Sequence, residues 1–161
     1  PAQMSASFWK DKPVLRAVLL LAGLVMIALG VNVGFGGVRT LGLQGGGDFF
    51  QVLNADAFTA QDNHIRFLGG FWLGAGLFVL AGAFWLRQLG PVLIAIAVMV
   101  FVGGLARLSV LDSDIVLSGA VLPSLLTELI AFPLLGLWVL RATRTEGAEP
   151  EIPAGKELQD R

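Results

Sequence analysis

One carboxylate sits where a carboxylate is costly. Glu128 lies seven residues inside a run of twenty mostly apolar residues, Val121–Leu140. At ~1.5 Å of rise per residue that is ~11 Å down a helix. A charge at such depth in a bilayer costs a few kcal/mol unless it is paired, protonated or facing water, which makes the position a functional candidate. Three arginines fall near enough in the pattern to pair with it. Arg39 follows the first apolar run, Arg66 opens the second and Arg107 closes the third. Each stands within three residues of a Gly-Gly pair: Gly36 and Gly37, Gly69 and Gly70, Gly103 and Gly104. Small residues let helices approach closely, so a polar cluster of Arg39, Arg66, Arg107 and Glu128 is expected, with His64 and Asn63 at its rim.

Three chemistries follow from such a cluster. The pair can lock the register of a bundle, since arginines at helix ends commonly snorkel to headgroups. The excess of guanidinium can bind an anion or a polar headgroup. A buried carboxylate can also act as general acid or base, which makes Glu128 a catalytic candidate, but no nucleophile or metal pattern accompanies it. His64, beside Asp62 and Asn63, could join Asp48 or Asp56 at a metal; a lone loop histidine is more often a polar cap, and no metal or cofactor is expected. Walker, Rossmann, HExxH and GxSxG patterns do not occur.

The missing residue types narrow the field. With no cysteine there is no disulfide, thiolate zinc site, iron–sulfur cluster or covalently attached haem. A single histidine cannot supply a bis-His haem or a multi-His centre from one chain, and no tyrosine is present to relay protons. The net charge of −1 gives no reason to expect nucleic acid.

Membrane helices must position these groups. The chain of 161 residues is 55% hydrophobic and 14% charged, too little charge to cover a soluble domain, and its mean hydropathy is +0.77. Four apolar runs of about 18–22 residues (Val14–Val33, Ile65–Leu86, Leu89–Ala106 and Val121–Leu140) match the ~20 residues that span a bilayer. The fold class expected is an all-α membrane protein, an antiparallel bundle of four transmembrane helices over residues 1–140. Gln88, Gly90 and Pro91 mark a tight turn between the second and third runs. Pro123 suits the start of the fourth helix, and Pro133 should kink it. GxxxG spacings at Gly30/Gly34 and Gly70/Gly74, with Gly69, Gly103 and Gly104, predict close helix packing.

Lysine and arginine counts orient the bundle. Lys10, Lys12, Arg16, Arg87, Arg141 and Arg144 flank one side; the other holds Arg39, Arg66 and Arg107 beside five aspartates. Both ends of the chain are therefore expected in the cytoplasm, with Trp9, Trp85 and Trp138 in an aromatic belt at that face. The first run is long and no A-x-A site follows it, so it reads as a retained span. The outer loop 34–64 is glycine-rich and then amphipathic from Phe49 to Gln61, consistent with a short interfacial helix. Residues 141–161, with Pro150 and Pro153, read as a disordered cytoplasmic tail.

The runs NHIRFLGGFWLGAGLFVL, RQLGPVLIAIAVMVFVGGLARL and PSLLTELIAFPLLGLWVL together resemble the bacterial membrane family catalogued as domain of unknown function 4345. The resemblance covers Asn63 to Leu140 and extends to the first helix. It implies that Arg66, Gly69, Gly70, Gly103, Gly104, Arg107 and Glu128 are pattern positions, and it implies a bacterial inner membrane. It brings no activity with it; the layout is also similar to the DoxX-like group. The expectation from the residues is a non-catalytic accessory or structural membrane protein, associated with lipid and with a partner membrane protein or a second copy. Two alternatives stand beside it: a binder or transporter of a small anionic or amphipathic ligand, and a small enzyme using Glu128.

Overall fold

The computed structural model describes residues 12–43, 51–109, 113–119 and 121–144. All regular structure among them is helical: α1 (Pro13–Gly36), a 3₁₀ segment (Gly37–Leu43), α2 (Ala55–Gly82), α3 (Leu86–Arg107), the four-residue α4 (Ser113–Val116) and α5 (Leu122–Arg144). Four of these, α1, α2, α3 and α5, are long and apolar enough to cross a membrane. The molecule is a multi-pass membrane protein. Its helices expose leucine, valine and phenylalanine freely, as lipid-facing surfaces do.

Two antiparallel pairs build the bundle, and each is sewn along a seam of small residues. In α1/α2 the contact points are Gly23 with Leu80, Ile27 with Gly76, Gly30 with Leu73, and Gly34 with Gly69. They climb α1 in steps of four, three and four residues and descend α2 by the same steps, a seven-residue repeat that keeps two helices nearly parallel in axis. One partner is glycine at every point. A Cβ on Gly23 would lie 2.6 Å from the Leu80 backbone nitrogen, so the helix backbones themselves are in contact. The α3/α5 pair repeats the device at Gly90 with Thr143, Ala97 with Gly136, and Gly104 with Leu129. Hydrophobicity does not drive helices together in lipid, so these close approaches, with their dispersion contacts, hold each pair.

Helix boundaries differ from the hydropathy windows. The α2–α3 turn falls at Ala83–Trp85 instead of Gln88–Pro91, and Pro91 lies inside α3. A side chain from another helix meets this turn. Buried Arg16 of α1 donates to the carbonyls of Ala83 and Phe84, satisfying the end of α2 there. Lys12 likewise donates to the Ala142 carbonyl and ties α1 to α5 at the same end.

The amphipathic stretch after the glycine-rich exit also differs from expectation. Its helix starts at Ala55, N-capped by Asn54 accepting from the Ala57 amide at 3.0 Å, and runs unbroken into the second span as a helix of 28 residues. Phe49, Phe50 and Asp48 lie outside the described residues, as do Lys10 and Trp9; of the tail expected over 141–161, residues 141–144 continue the last helix and the rest lies outside the described residues.

Pro133 brings a local change of winding. Residues Thr127–Ala131 form one π turn, in which the Phe132 N–H reaches back five residues to the Thr127 carbonyl. Proline cannot donate to the carbonyl four residues before it, and the widened turn absorbs that gap within a continuous α5. Glu128 is in this π turn.

Candidate functional site

The expected single cluster is two clusters. At the far end from Lys12, α1 and α2 are latched by Asp62. Its carboxylate accepts from Arg66 Nε at 2.6 Å and from the Val38 amide at 2.8 Å, while Arg66 also donates to the Phe35 carbonyl. The hook that brings Val38 round passes through Gly37 at φ +70°, a left-handed conformation open to glycine, and a Cβ there would strike Asp62. Arg39 covers the Phe58 ring at 5.6 Å. Asp62 therefore organises this end. Its spacing of four residues before Arg66 on one helix was the available signal.

The second cluster joins α3 to α5. Arg107 Nε stands 3.0 Å from Glu128 Oε2. The Glu128 side chain is only 9% exposed, and that of Arg107 is 50% exposed. The distance is that of an ion pair, but the N–H does not point along the line, and among the described residues no donor makes a hydrogen bond to the buried Oε2. Among the described residues no contact joins Arg39 or Arg66 to Glu128. His64 and Asn63 sit exposed on α2 and belong to neither cluster. No group of three or more His, Asp or Glu side chains among the described residues lies close enough to hold a metal.

The paired glycines have opposite roles. Gly104 packs against the side chains of Glu128 and Leu129: a Cβ on it would lie 2.9 Å from Glu128 Cβ. Gly69 packs against Gly34 in the same manner. Their neighbours Gly103 and Gly70, and also Gly74, point into open space, so the Gly70/Gly74 spacing makes no close packing among the described residues.

What Gly103 faces is a cavity of about 220 Å³. All four long helices wall it: Met26 from α1, Phe71 and Trp72 from α2, Ile96, Met99 and Gly103 from α3, and Glu128 from α5. Its lining is apolar except where Arg107 and Glu128 close one end. Sequence alone does not separate a cavity wall such as Phe71 and Trp72 from a core or lipid-facing surface.

The pattern of Arg-x-x-Gly-Gly opening α2, Gly-Gly-x-x-Arg closing α3 and a glutamate in α5 thus has a geometry. A model of the family described as domain of unknown function (DUF4345) matches residues 14–139. The chain belongs to this family. No curated protein and no solved structure matches it. The match reaches into all four long helices and covers both arginine clusters, so the α1/α2 glycine seam, the α3/α5 seam up to Gly136 and the Glu128 cavity lie within the family domain.

Proposed function

We propose that this chain is a non-catalytic protein of a bacterial inner membrane that binds a small amphipathic molecule in the cavity at Glu128. One observation carries the reading: a buried carboxylate oxygen, ion-paired with Arg107 but without a directed hydrogen bond among the described residues, lines an otherwise apolar cavity. A buried acceptor in that condition costs about 1–3 kcal/mol, which a donor on a bound molecule would recover. The neighbouring guanidinium balances the charge, which favours an amphipathic guest over an anion. A catalytic use of Glu128 has less support, because among the described residues no second acid, nucleophile or histidine lines the cavity.

Both chain ends are proposed to lie in the cytoplasm. Lys12, Arg16, Arg87, Arg141 and Arg144 gather at one end of the bundle, whereas Arg39, Arg66 and Arg107 share the other with Asp56 and Asp62. The cavity then opens in the outer half of the bilayer. A role as accessory subunit would use the outward helix faces, and these suit lipid as well as a partner helix.

Native mass spectrometry of the chain released gently from its own membrane tests the binding reading. The expected spectrum carries a small-molecule adduct that a Gly103→Phe variant of equal stability loses. An adduct-free wild type would overturn the reading, and a retained protein partner would favour the accessory one.

A further inference from the structure

The walls of the cavity differ in exposure by helix. Met26 of α1, Ile96 of α3 and Glu128 of α5 are buried and form its back. The exposed members are Phe71 on α2 and Met99, Gly103 and Arg107 on α3. The mouth therefore lies on the side, between α2 and α3. Those helices meet closely beside their short turn, where Gly82 packs on Leu93. Yet they share less contact than either glycine-seamed pair, despite being joined by three residues. Residues of both helices line the cavity farther from the turn, and a Cβ at Gly103 would meet nothing there.

The polarity of the cavity runs along the bundle. Arg107 and Glu128 close it near the ends of the helices, and Ile96 stands eleven residues deeper on α3, ~16 Å at helical rise. Polar end outward and apolar end toward the midplane is the orientation of a lipid in the adjoining leaflet. The volume lies below the ~300–1,000 Å³ of pockets for drug-sized ligands, which gives room to a segment of one slender chain and not to two chains side by side. Glu128 Oε2 has capacity to accept a hydrogen bond, and the half-exposed Arg107 guanidinium can donate one to an acceptor.

Resting on the binding reading, we infer that the cavity takes a single-chain amphiphile sideways from the leaflet between α2 and α3. Its hydroxyl- or amide-bearing head meets Glu128 and Arg107, and its tail points toward Ile96. Entry then needs neither a flip of the molecule nor passage through water. Gly103 sets the width of the mouth.

Trp72, in the cavity wall, reports occupancy directly. Trp9, Trp85 and Trp138 are replaced by phenylalanine, and the protein is placed in nanodiscs of saturated phosphatidylcholine. A monoacylglycerol brominated mid-chain is then titrated against the same bromines on a two-chain phosphatidylcholine. The inference predicts saturable quenching by the monoacylglycerol alone, abolished by Gly103→Phe and weakened at least tenfold by Glu128→Leu. Circular dichroism and unfolding of each variant establish that it is folded. Quenching by both lipids in proportion to their mole fraction would overturn the inference, since Trp72 would then meet bulk lipid. No quenching by either, with the small-molecule adduct still seen in native spectra, would overturn lateral entry of a single chain and leave the binding reading standing. Saturable quenching unchanged by Glu128→Leu would overturn the placement of the head.

Discussion

Arg107 and Glu128 meet across the α3–α5 seam with Nε 3.0 Å from Oε2, close enough to neutralise each other yet without a directed hydrogen bond. Gly104 makes the meeting possible, because its missing side chain lets Glu128 Cβ and the Leu129 side chain settle against α3. The π turn completes the arrangement. It holds Glu128 on the inner side of α5 one turn before Pro133.

Removing one member of this pair should cost more than removing both. Arg107→Gln leaves a buried carboxylate without its countercharge. Fully buried pairs lose ~3–5 kcal/mol on such a change, and solvent at the half-exposed arginine reduces this to ~1–2 kcal/mol. Glu128→Gln with Arg107→Gln should recover most of the loss. Unfolding free energies in mixed micelles across the double-mutant cycle check this; additive effects would show that the pair is uncoupled.

Adjacent glycines should respond oppositely. Gly104→Ala drives a methyl into Glu128 Cβ and the Leu129 side chain, forcing α3 and α5 apart at a cost of ~1–3 kcal/mol. Gly103→Ala meets nothing and should be neutral or stabilising by up to ~1 kcal/mol. Thermal unfolding of the two single variants distinguishes them.

Along α1/α2, Gly30→Ala should break the seam, since its Cβ would lie 2.6 Å from Leu73 Cα. Gly74→Ala, a position that the GxxxG spacing also marks, should leave stability within ~1 kcal/mol of wild type. Equal losses at both would contradict the register assigned to this pair.

The Asp62 latch predicts a local effect. Asp62→Asn keeps the side-chain shape but gives up the charge that Arg66 meets, so the hook at Gly37–Val38 should open more often. Hydrogen exchange at the Val38 amide should quicken at least tenfold, with the α3/α5 seam unchanged. Unaltered exchange would mean that the hook is held by the backbone alone.

Four spans and their approximate limits were legible because hydropathy over ~20 residues reports solvent and little else. Glu128 was legible for the same reason, as a charge where charge is expensive. Partner choice was not. Grouping Arg66 with Glu128 followed from shared depth, whereas the nearer Asp62, one helical turn away, takes it. The glycine seams recur at seven residues over two helices, a spacing visible only once the antiparallel register is known. The α2–α3 turn escaped because Arg16, distant in sequence, caps it. The π turn reflects a carbonyl deprived by Pro133, for which a kink was the simpler expectation.

The most direct test of the binding account is a crystal structure grown in a lipidic mesophase doped with brominated monoacylglycerol. Anomalous scattering then locates the bromines without reference to side-chain density. The account predicts a bromine peak between α2 and α3, near Phe71 and Met99, with the glycerol head within ~3 Å of Glu128 Oε2. Bromine confined to the outward helix faces, with α2 closed on α3 over Gly103, would contradict it.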